Sequence, residues 1–389
     1  MMVPIIYNLR SLRVRKTTTL VTALGIGLVV FVLASALMLS AGIERTMAVG
    51  GSPDVAIVLR KGSDGELASQ IDVTNVSLVL ASPAVRRDAS GQGEGVGEII
   101  VVAALEKLGT DGMANVALRG VPPEVFSFRP DVRVTRGRAA KSGTDEVIVG
   151  RAIANRFKGL TLGGTFGLSR DRKATVVGIF EDAGSAYESE VWADIDTVRS
   201  AFGRQGIVSS VRARLQSPAR FNAFEASVEQ NKQLGLEAMQ EPDFYRKQSE
   251  DTSTFMMVLG SMIAVFFAVG AMIGAMITMY SAIANRKREL GAMRALGFSR
   301  SSILLSILVE SFILALLGGS LGCLAALLMG LVEFSMMNFA TWSEIVFSFH
   351  PTLEIMATAM AAAGVMGLLG GMVPAIRAAR TSPTEAMRH

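Results

Sequence analysis

The sequence predicts a membrane α-helical protein: four transmembrane helices and a large α+β extracytoplasmic domain inserted between helices 1 and 2. Three observations carry this. Four apolar stretches are each long enough to cross a hydrocarbon core, which takes about 20 residues. Basic residues gather beside those stretches on one side only. The long segment between the first and second stretch alternates like strands. Composition agrees: half of the 389 residues are apolar and 6% aromatic, while Gly (39) and Met (21) are abundant, as in closely packed membrane helices.

In chain order, residues 1–19 are expected as a cytoplasmic amphipathic N-terminal helix, with Ile5, Ile6, Leu9 and Leu12 at helical spacing among Arg and Asn. Residues 20–42 are transmembrane helix 1, built on the apolar run 20–39. The basic start and the Ala34-Ser35-Ala36 triplet also suit a cleaved signal peptide, but the run is too long and its small residues recur throughout. Helix 2 is placed at 253–284, helix 3 at 301–332, interrupted by Glu310, and helix 4 at 353–374, ending on Pro374. Residues 285–300 form a cytoplasmic segment, 333–352 a short external loop and 375–389 a cytoplasmic tail.

Charge sets the orientation. Arg10, Arg13, Arg15 and Lys16 precede helix 1; Arg286, Lys287, Arg288, Arg294 and Arg300 oppose only Glu289 between helices 2 and 3; Arg377, Arg380 and Arg388 oppose only Glu385 in the tail. The loop between helices 3 and 4 holds Glu333 and Glu344 and no Lys or Arg. By the positive-inside rule both termini and 285–300 are cytoplasmic and 43–252 lies outside. The net charge of +4 then needs no nucleic-acid partner.

Within 43–252, segments 54–59, 146–149 and 174–180 are expected as strands, Gly163-Gly164 and 169–171 as turns, and 194–202 and 220–234 as helices. Two subdomains are expected, with 89–97 a mobile Gly-rich turn. No catalytic constellation appears. His350 and His389, the two histidines, fall outside this domain, and the acidic pairs Asp145/Glu146 and Glu188/Glu190 are expected as solvated surface. Gly91, Gly93 and Gly95 lack the Lys-Ser/Thr of a phosphate loop, and no such motif occurs elsewhere. No catalytic residue, metal site or cofactor is expected in this chain, and Cys323 is expected as a small packing residue. Small-xxx-small spacings at Gly270/Gly274, Gly318/Gly322 and Gly367/Gly371 allow close helix approach.

The segment Arg286-Lys287-Arg288-Glu289-Leu290-Gly291-Ala292-Met293-Arg294-Ala295-Leu296-Gly297 resembles the cytoplasmic motif of the MacB/FtsX-type ABC transporter permease family. The tail from Pro374 through Arg380, Pro383 and Arg388 resembles that family's ending. Gly120-Val121-Pro122-Pro123-Glu124, the run from Gly137 to Gly150 and Val176-Val177-Gly178-Ile179-Phe180 resemble its external MacB-like periplasmic core. The resemblance implies a mechanotransmission fold in the bacterial inner membrane. It implies a separate cytoplasmic ABC ATPase binding ATP and Mg, a second permease copy or a paralogue as dimer partner, and membrane lipid around both. A periplasmic adaptor protein is a further candidate partner.

By residue type, an amphipathic helix at 286–297 would place Leu290, Met293, Leu296 and Gly297 on one side and charges on the others. Such a surface suits docking on a soluble partner, and the family resemblance implies that coupling to the ATPase falls to Arg286, Arg288, Glu289, Leu290, Gly291, Met293, Arg294, Ala295, Leu296 and Gly297. Glu310, an acid within a membrane helix, is expected to pair with a basic residue of that segment rather than carry protons. The leading function is export or extraction of a hydrophobic molecule, peptide, lipid or lipoprotein. The alternative is an FtsX-like regulator that moves no cargo and switches an extracellular cell-wall hydrolase; a receptor without an ATPase ranks third.

Overall fold

The computed structural model describes residue 14 and residues 16–169, 171–231, 234–338 and 341–380. The expected helix at 1–19 and the tail motif beyond Arg380 lie mostly outside these residues. The elements begin with α1 (Lys16–Val49), β1 (Val55–Arg60), β2 (Ile71–Asp72), α2 (Val73–Leu80), β3 (Gly95–Glu106), β4 (Met113–Val121) and α3 (Val125–Phe128). There follow β5 (Arg133–Gly137), β6 (Glu146–Gly150), β7 (Thr165–Ser169), β8 (Arg172–Glu181), β9 (Glu190–Asp194) and α4 (Ile195–Ala201). Next come β10 (Ile207–Val208), β11 (Ser210–Arg214), α5 (Phe221–Glu229), β12 (Leu236–Gln240) and α6 (Glu241–Asn285). The chain continues through α7 (Lys287–Ala295), α8 (Arg300–Met329), β13 (Glu333–Asn338), β14 (Ser343–Ser348) and α9 (Leu353–Arg380). It divides into two compact units, one helical and one built on a sheet.

Among the described residues four helices, α1, α6, α8 and α9, are long and apolar enough to cross a membrane. Three exceed the expected spans: α1 continues to Val49, α6 already begins at Glu241, and α9 runs through Pro374, where helix 4 was expected to end, as far as Arg380. The end of an apolar run does not end a helix. Residues 43–49 contain no Gly or Pro, and 241–253 contain only Pro242 in the first helical turn, where its missing N–H costs nothing. Gly50 and Gly51 then stop α1.

In the helical unit α8 is central. A Cβ at Gly322 would collide with the Gly27 carbonyl oxygen, and one at Gly318 would lie 2.5 Å from that of Ala23, so α1 and α8 touch backbone to backbone. On α9, Gly367 is buried against α8: a Cβ there would collide with that of Ala315 and lie 2.9 Å from the Ser311 carbonyl oxygen. Gly371 is buried one turn further on, but what it clears is a side chain rather than a backbone. A Cβ at Gly371 would collide with Ser311 Oγ and lie 2.6 Å from Ser311 Cβ. That hydroxyl donates to the Ile307 carbonyl at 3.1 Å, so Gly371 makes room for a polar side chain folded back on its own helix. On α9, Gly367 thus faces the α8 backbone, while Gly371 leaves room for the Ser311 side chain.

Around these contacts Val30, Ala34, Met38, Ala326, Ala359 and Ala363 are buried. Gly270 and Gly274 differ: nothing lies within 4 Å of a Cβ built at either. Their pairing within this chain is therefore not seen.

The second unit holds a mixed ten-stranded sheet in the order β12-β1-β11-β3-β4-β9-β6-β8-β5, with β7 added on β8. The β4–β9 and β6–β8 pairs are parallel and the rest antiparallel. The long strand β3 joins two halves: Gly95 to Glu98 pair with β11, while Ile99 to Glu106 pair with β4. Asp72 caps α2 by accepting from the Thr74 N–H, and Asp194 caps α4 by accepting from that of Thr197. Strand β1 (VAIVLR) is buried at five of its six positions, the pattern of a strand covered on both faces.

Two further expectations are corrected here. The short loop expected at 333–352 contains the hairpin β13–β14, which belongs to the sheet unit. Val346 enters that unit's core, its N–H donates to Ser189 Oγ at 3.0 Å, and Lys107 pairs with Glu344 at 2.5 Å. The expected mobile turn at 89–97 is knitted: Asp88 Oδ1 accepts from the N–H groups of Ser90 (2.8 Å) and Gln92 (2.9 Å), and Gly95 already belongs to β3.

Candidate coupling segment and a buried charge cluster

The segment between α6 and α8 is set by its caps. Leu296 ends α7, and Gly297 follows at φ +95°, a conformation open to glycine at no steric cost. The Gly297 N–H donates to the Arg294 carbonyl at 3.1 Å and the Phe298 N–H to that of Met293 at 3.1 Å, the paired bonds of a Schellman ending. Two residues later Ser299 caps α8, its Oγ accepting from the Ser302 N–H at 3.2 Å. Leu-Gly-Phe-Ser thus stops one helix and starts the next.

Leu290 packs beside Met279, Ile303, Ile307 and Ala375, and Gly291 is buried. Met293 and Arg294 are half-buried, and Arg294 Nη1 donates to the Phe298 carbonyl at 3.2 Å. Arg288, Glu289, Ala292 and Ala295 form the exposed side, joined by Leu296 at 76% exposure. Leu296 therefore does not share the packed side of Leu290, as the sequence suggested. It stands six residues on, at the helix end, and faces solvent.

Glu310, 5% exposed, accepts from Arg286 Nη1 at 3.1 Å, and Arg286 Nε donates to Glu289 at 3.4 Å. The arginine at the break between α6 and α7 is thus tied to α8, satisfying an acid that an apolar helix could not otherwise hold.

The second constellation was not read from the sequence. In the sheet unit Arg119, Arg129 and Arg212 lie buried with Glu66, Glu98, Glu190 and Glu241. Arg119 is fork-bound to Glu190 at 2.7 Å through both Nε and Nη2, and Nη1 donates to Glu98 (2.9 Å) and Glu66 (3.0 Å). Arg212 Nη1 donates to Glu66 (2.9 Å) and Glu98 (2.8 Å), and its Nε to Glu241 (3.1 Å). The Arg129 guanidinium stacks 4.3 Å from the Tyr187 ring. The Tyr187 and Tyr245 hydroxyls are hydrogen-bonded to each other.

Burial pushes the Glu66 carboxyl up, but the charges of Arg119 and Arg212 outweigh it and hold the group well below the usual carboxylate range. Glu98 is held down by Arg212, Arg129 and Arg119 against the same burial penalty. Burial raises the Tyr245 hydroxyl to about 12.

Glu188 and Glu190, expected as solvated surface, are 3% and 8% exposed. Glu190 is claimed by Arg119. Glu188 Oε1 accepts from the Asp182 and Gly184 N–H groups, both at 2.8 Å. Asp145 and Glu146 do lie near the surface, paired with Arg172 (2.6 Å) and Arg138 (2.5 Å). Among the described residues no group of three or more His, Cys, Asp or Glu is placed to hold a metal ion.

A family model for the MacB-like periplasmic core domain matches residues 18–231, more than half of the chain, and one for the FtsX-like permease C-terminal region matches 261–383. The macrolide export ATP-binding/permease protein MacB of Shewanella sp. (strain ANA-3) is 30% identical over 230 residues, 56% of this chain and 33% of that protein. The protein of the same name from Escherichia coli O157:H7 is 29% identical over 225 residues, 55% and 33% of the two chains. The chain thus spans about a third of the length of these curated relatives. Among solved structures, the periplasmic region of MacB from Actinobacillus actinomycetemcomitans aligns at TM-score 0.37 and 13% identity, over 51% of this chain and 93% of that one. The extracellular domain of the transporter YknZ from Gram-positive bacteria aligns at TM-score 0.35 and 14% identity, over 48% and 99%. With one model covering most of the sheet unit and of α1 and the other covering most of the remaining membrane helices, the chain belongs to the MacB/FtsX-type permease family.

Proposed function

We propose that this chain is the permease subunit of an ABC transporter whose segment 285–300 docks a cytoplasmic ATPase and passes its motion to a sheet unit outside the membrane. The observation that carries this is the form of the segment. Helix α7 is held by Leu290 and Arg286 on one side while presenting Arg288, Glu289, Ala292, Ala295 and Leu296 to solvent. A linker that only sets topology needs basic residues; it needs neither an anchored helix nor an apolar side chain held out in water.

On this reading ATP and Mg are bound by the partner, because this sequence has no phosphate loop. A second copy or a paralogue completes the membrane unit, lipid surrounds it, and both termini face the cytoplasm. Few polar residues line the four helices, so cargo is taken up outside or from the outer leaflet. It is a hydrophobic molecule, peptide, lipid or lipoprotein. Recruitment of a periplasmic adaptor would support export; an extracellular cell-wall hydrolase in its place would mark the FtsX-like role.

The test replaces Glu289 with Arg and, separately, Leu296 with Asp. Both variants should reach the membrane at normal levels and lose ATPase binding and ATP-dependent function. Full retention of both in both variants makes the segment a passive link. Topology is checked by impermeant thiol labelling in Cys323→Ser chains carrying Ser63→Cys or Ser299→Cys. Labelling from outside at 299 but not at 63 overturns the orientation.

A further inference from the structure

Two long helices, α1 and α6, carry the chain into the sheet unit, and their ends meet at one carboxylate. Glu241 is the first residue of α6, follows β12 without a linker and is 1% exposed. Its Oε2 accepts from the backbone N–H of Ser52 at 3.2 Å, three residues beyond the end of α1. Its Oε1 accepts from Arg212 Nε at 3.1 Å, on β11, and from Arg129 Nη2 at 3.4 Å. The two segments are also in close contact. A Cβ at Gly51 would lie 3.1 Å from the Pro242 nitrogen and 3.1 Å from Tyr245 Cδ2.

The bonds are unequal in what they support. If the Glu241 carboxylate is removed, Arg212 keeps Glu66 at 2.9 Å and Glu98 at 2.8 Å, so the sheet retains its charge pairing. The Ser52 N–H and the start of α6 lose their tie to Arg212. Beside this point lies a polar cleft of about 210 Å³, half open to solvent and lined by Gly50, Gly51, Arg129, Asp182 and Glu241. A close-packed interior leaves no such room for two helix ends to shift.

We propose that Glu241 is a positioning residue, a clamp that ties the ends of α1 and α6 to Arg212 so that movement of these helices is passed to the sheet. The proposal rests on the permease function above and adds the point at which motion enters the external unit. The clamp is separable from folding, because the arginines it holds have other partners.

The experiment is hydrogen–deuterium exchange on the full chain in nanodiscs, in complex with its ATPase, with and without Mg-ATP and vanadate. In Glu241→Ala the Ser52 amide should exchange at least about tenfold faster, the low end of what one hydrogen bond to a charged group represents. Basal protection of Ser210–Arg214 should be unchanged, and its nucleotide-dependent change, present in the wild type, should be lost. ATP hydrolysis should continue. Glu241→Gln, whose amide oxygen still accepts, should restore part of the response.

If Glu241→Ala keeps the wild-type response at Ser210–Arg214, the clamp is refuted. It is equally refuted if Glu241→Ala, or the shorter Glu241→Asp, lowers basal protection of that strand or fails to fold, because the residue is then structural. A wild-type complex that responds to nucleotide nowhere refutes the permease function itself.

Discussion

Replacing Arg119 with methionine removes the centre of the buried charge cluster while keeping much of the side chain's length and apolar stem. Glu190 loses both arms of its fork at 2.7 Å, Glu98 a bond of 2.9 Å and Glu66 two, of 3.0 and 3.3 Å, all at sites no more than 8% exposed. Two arginines then face four glutamates. Deleting one partner of a buried ion pair costs about 3–5 kcal/mol, because the acid left behind has neither water nor a counter-charge. With a urea slope of about 3 kcal/mol per molar, the unfolding midpoint should fall by about 1–1.7 M. The protein supplies its own probe. Trp192 is 1% exposed and donates through Nε1 to Glu190 at 2.9 Å, while Trp342, the other of its two tryptophans, is exposed and replaceable by Phe. Urea titration of the full Trp342→Phe chain in detergent, followed by Trp192 fluorescence, reads the shift. Arg119→Met/Glu190→Gln should recover part of it, since a neutral amide is cheaper to leave buried than a carboxylate. A midpoint unmoved by Arg119→Met, or a double variant no more stable than the single, would refute the argument that these charges depend on one another.

Acid should act on the same cluster. The folded-state values of Glu66 and Glu98 lie below the ordinary carboxylate value of 4.5, so their stabilisation is complete above it and drains away as pH falls through it, from about pH 5 downward; Trp192-monitored urea midpoints between pH 7 and 4 measure this. In the helical unit Gly322→Val should lower thermal stability in detergent by about 1–3 kcal/mol, as overpacking against the Gly27 carbonyl. Gly274→Ala, with nothing within 4 Å, should leave stability equal or raise it by up to about 1 kcal/mol through helix propensity. Gly297→Ala forces a side chain to φ +95° at a cost of about 1–3 kcal/mol, and should appear as faster amide exchange at residue 297 and Phe298.

Much of the helical unit was legible because lipid and water sort residues coarsely: an apolar run and its basic flanks carry the information. Small-residue spacing was legible only as a permission to pack. It could not tell Gly322, which meets a backbone, from Gly371, which meets the Ser311 side chain, or from Gly274, which meets nothing. Helix ends were less legible still. The polar residues 241–253 belong to the sheet unit, but that they form the first turns of α6 was not read; Phe244 and Tyr245 are buried at 4% each and no helix breaker intervenes. The hairpin at 333–348 was missed for a related reason. Segments such as EFSMMN and SEIVFS are too short to call a sheet on their own, and what fixes them is contact with β4 and Ser189, far away in the chain.

The charge cluster was hidden by alternation itself. In MANVALRGV and SVRAR the arginines occupy positions that a half-buried strand gives to solvent, and Arg214, two residues after Arg212, does lie nearer the surface at 14% side-chain exposure. Nothing local separates Arg212 at 0% from it. The difference comes from register. Arg119 lies opposite Trp192 across the parallel β4–β9 pair, which sets Glu190, two residues earlier, on the same face. Glu98 lies opposite Ser210, two residues before Arg212. These bonded acids and bases are 21 to 146 residues apart in sequence and meet only when the sheet forms. The resulting set has four glutamates for three arginines. The extra acid, Glu241, stands at the first turn of α6, where the helix dipole favours a negative charge. The residue least needed to balance the sheet is thus also held by the dipole of the helix that it begins.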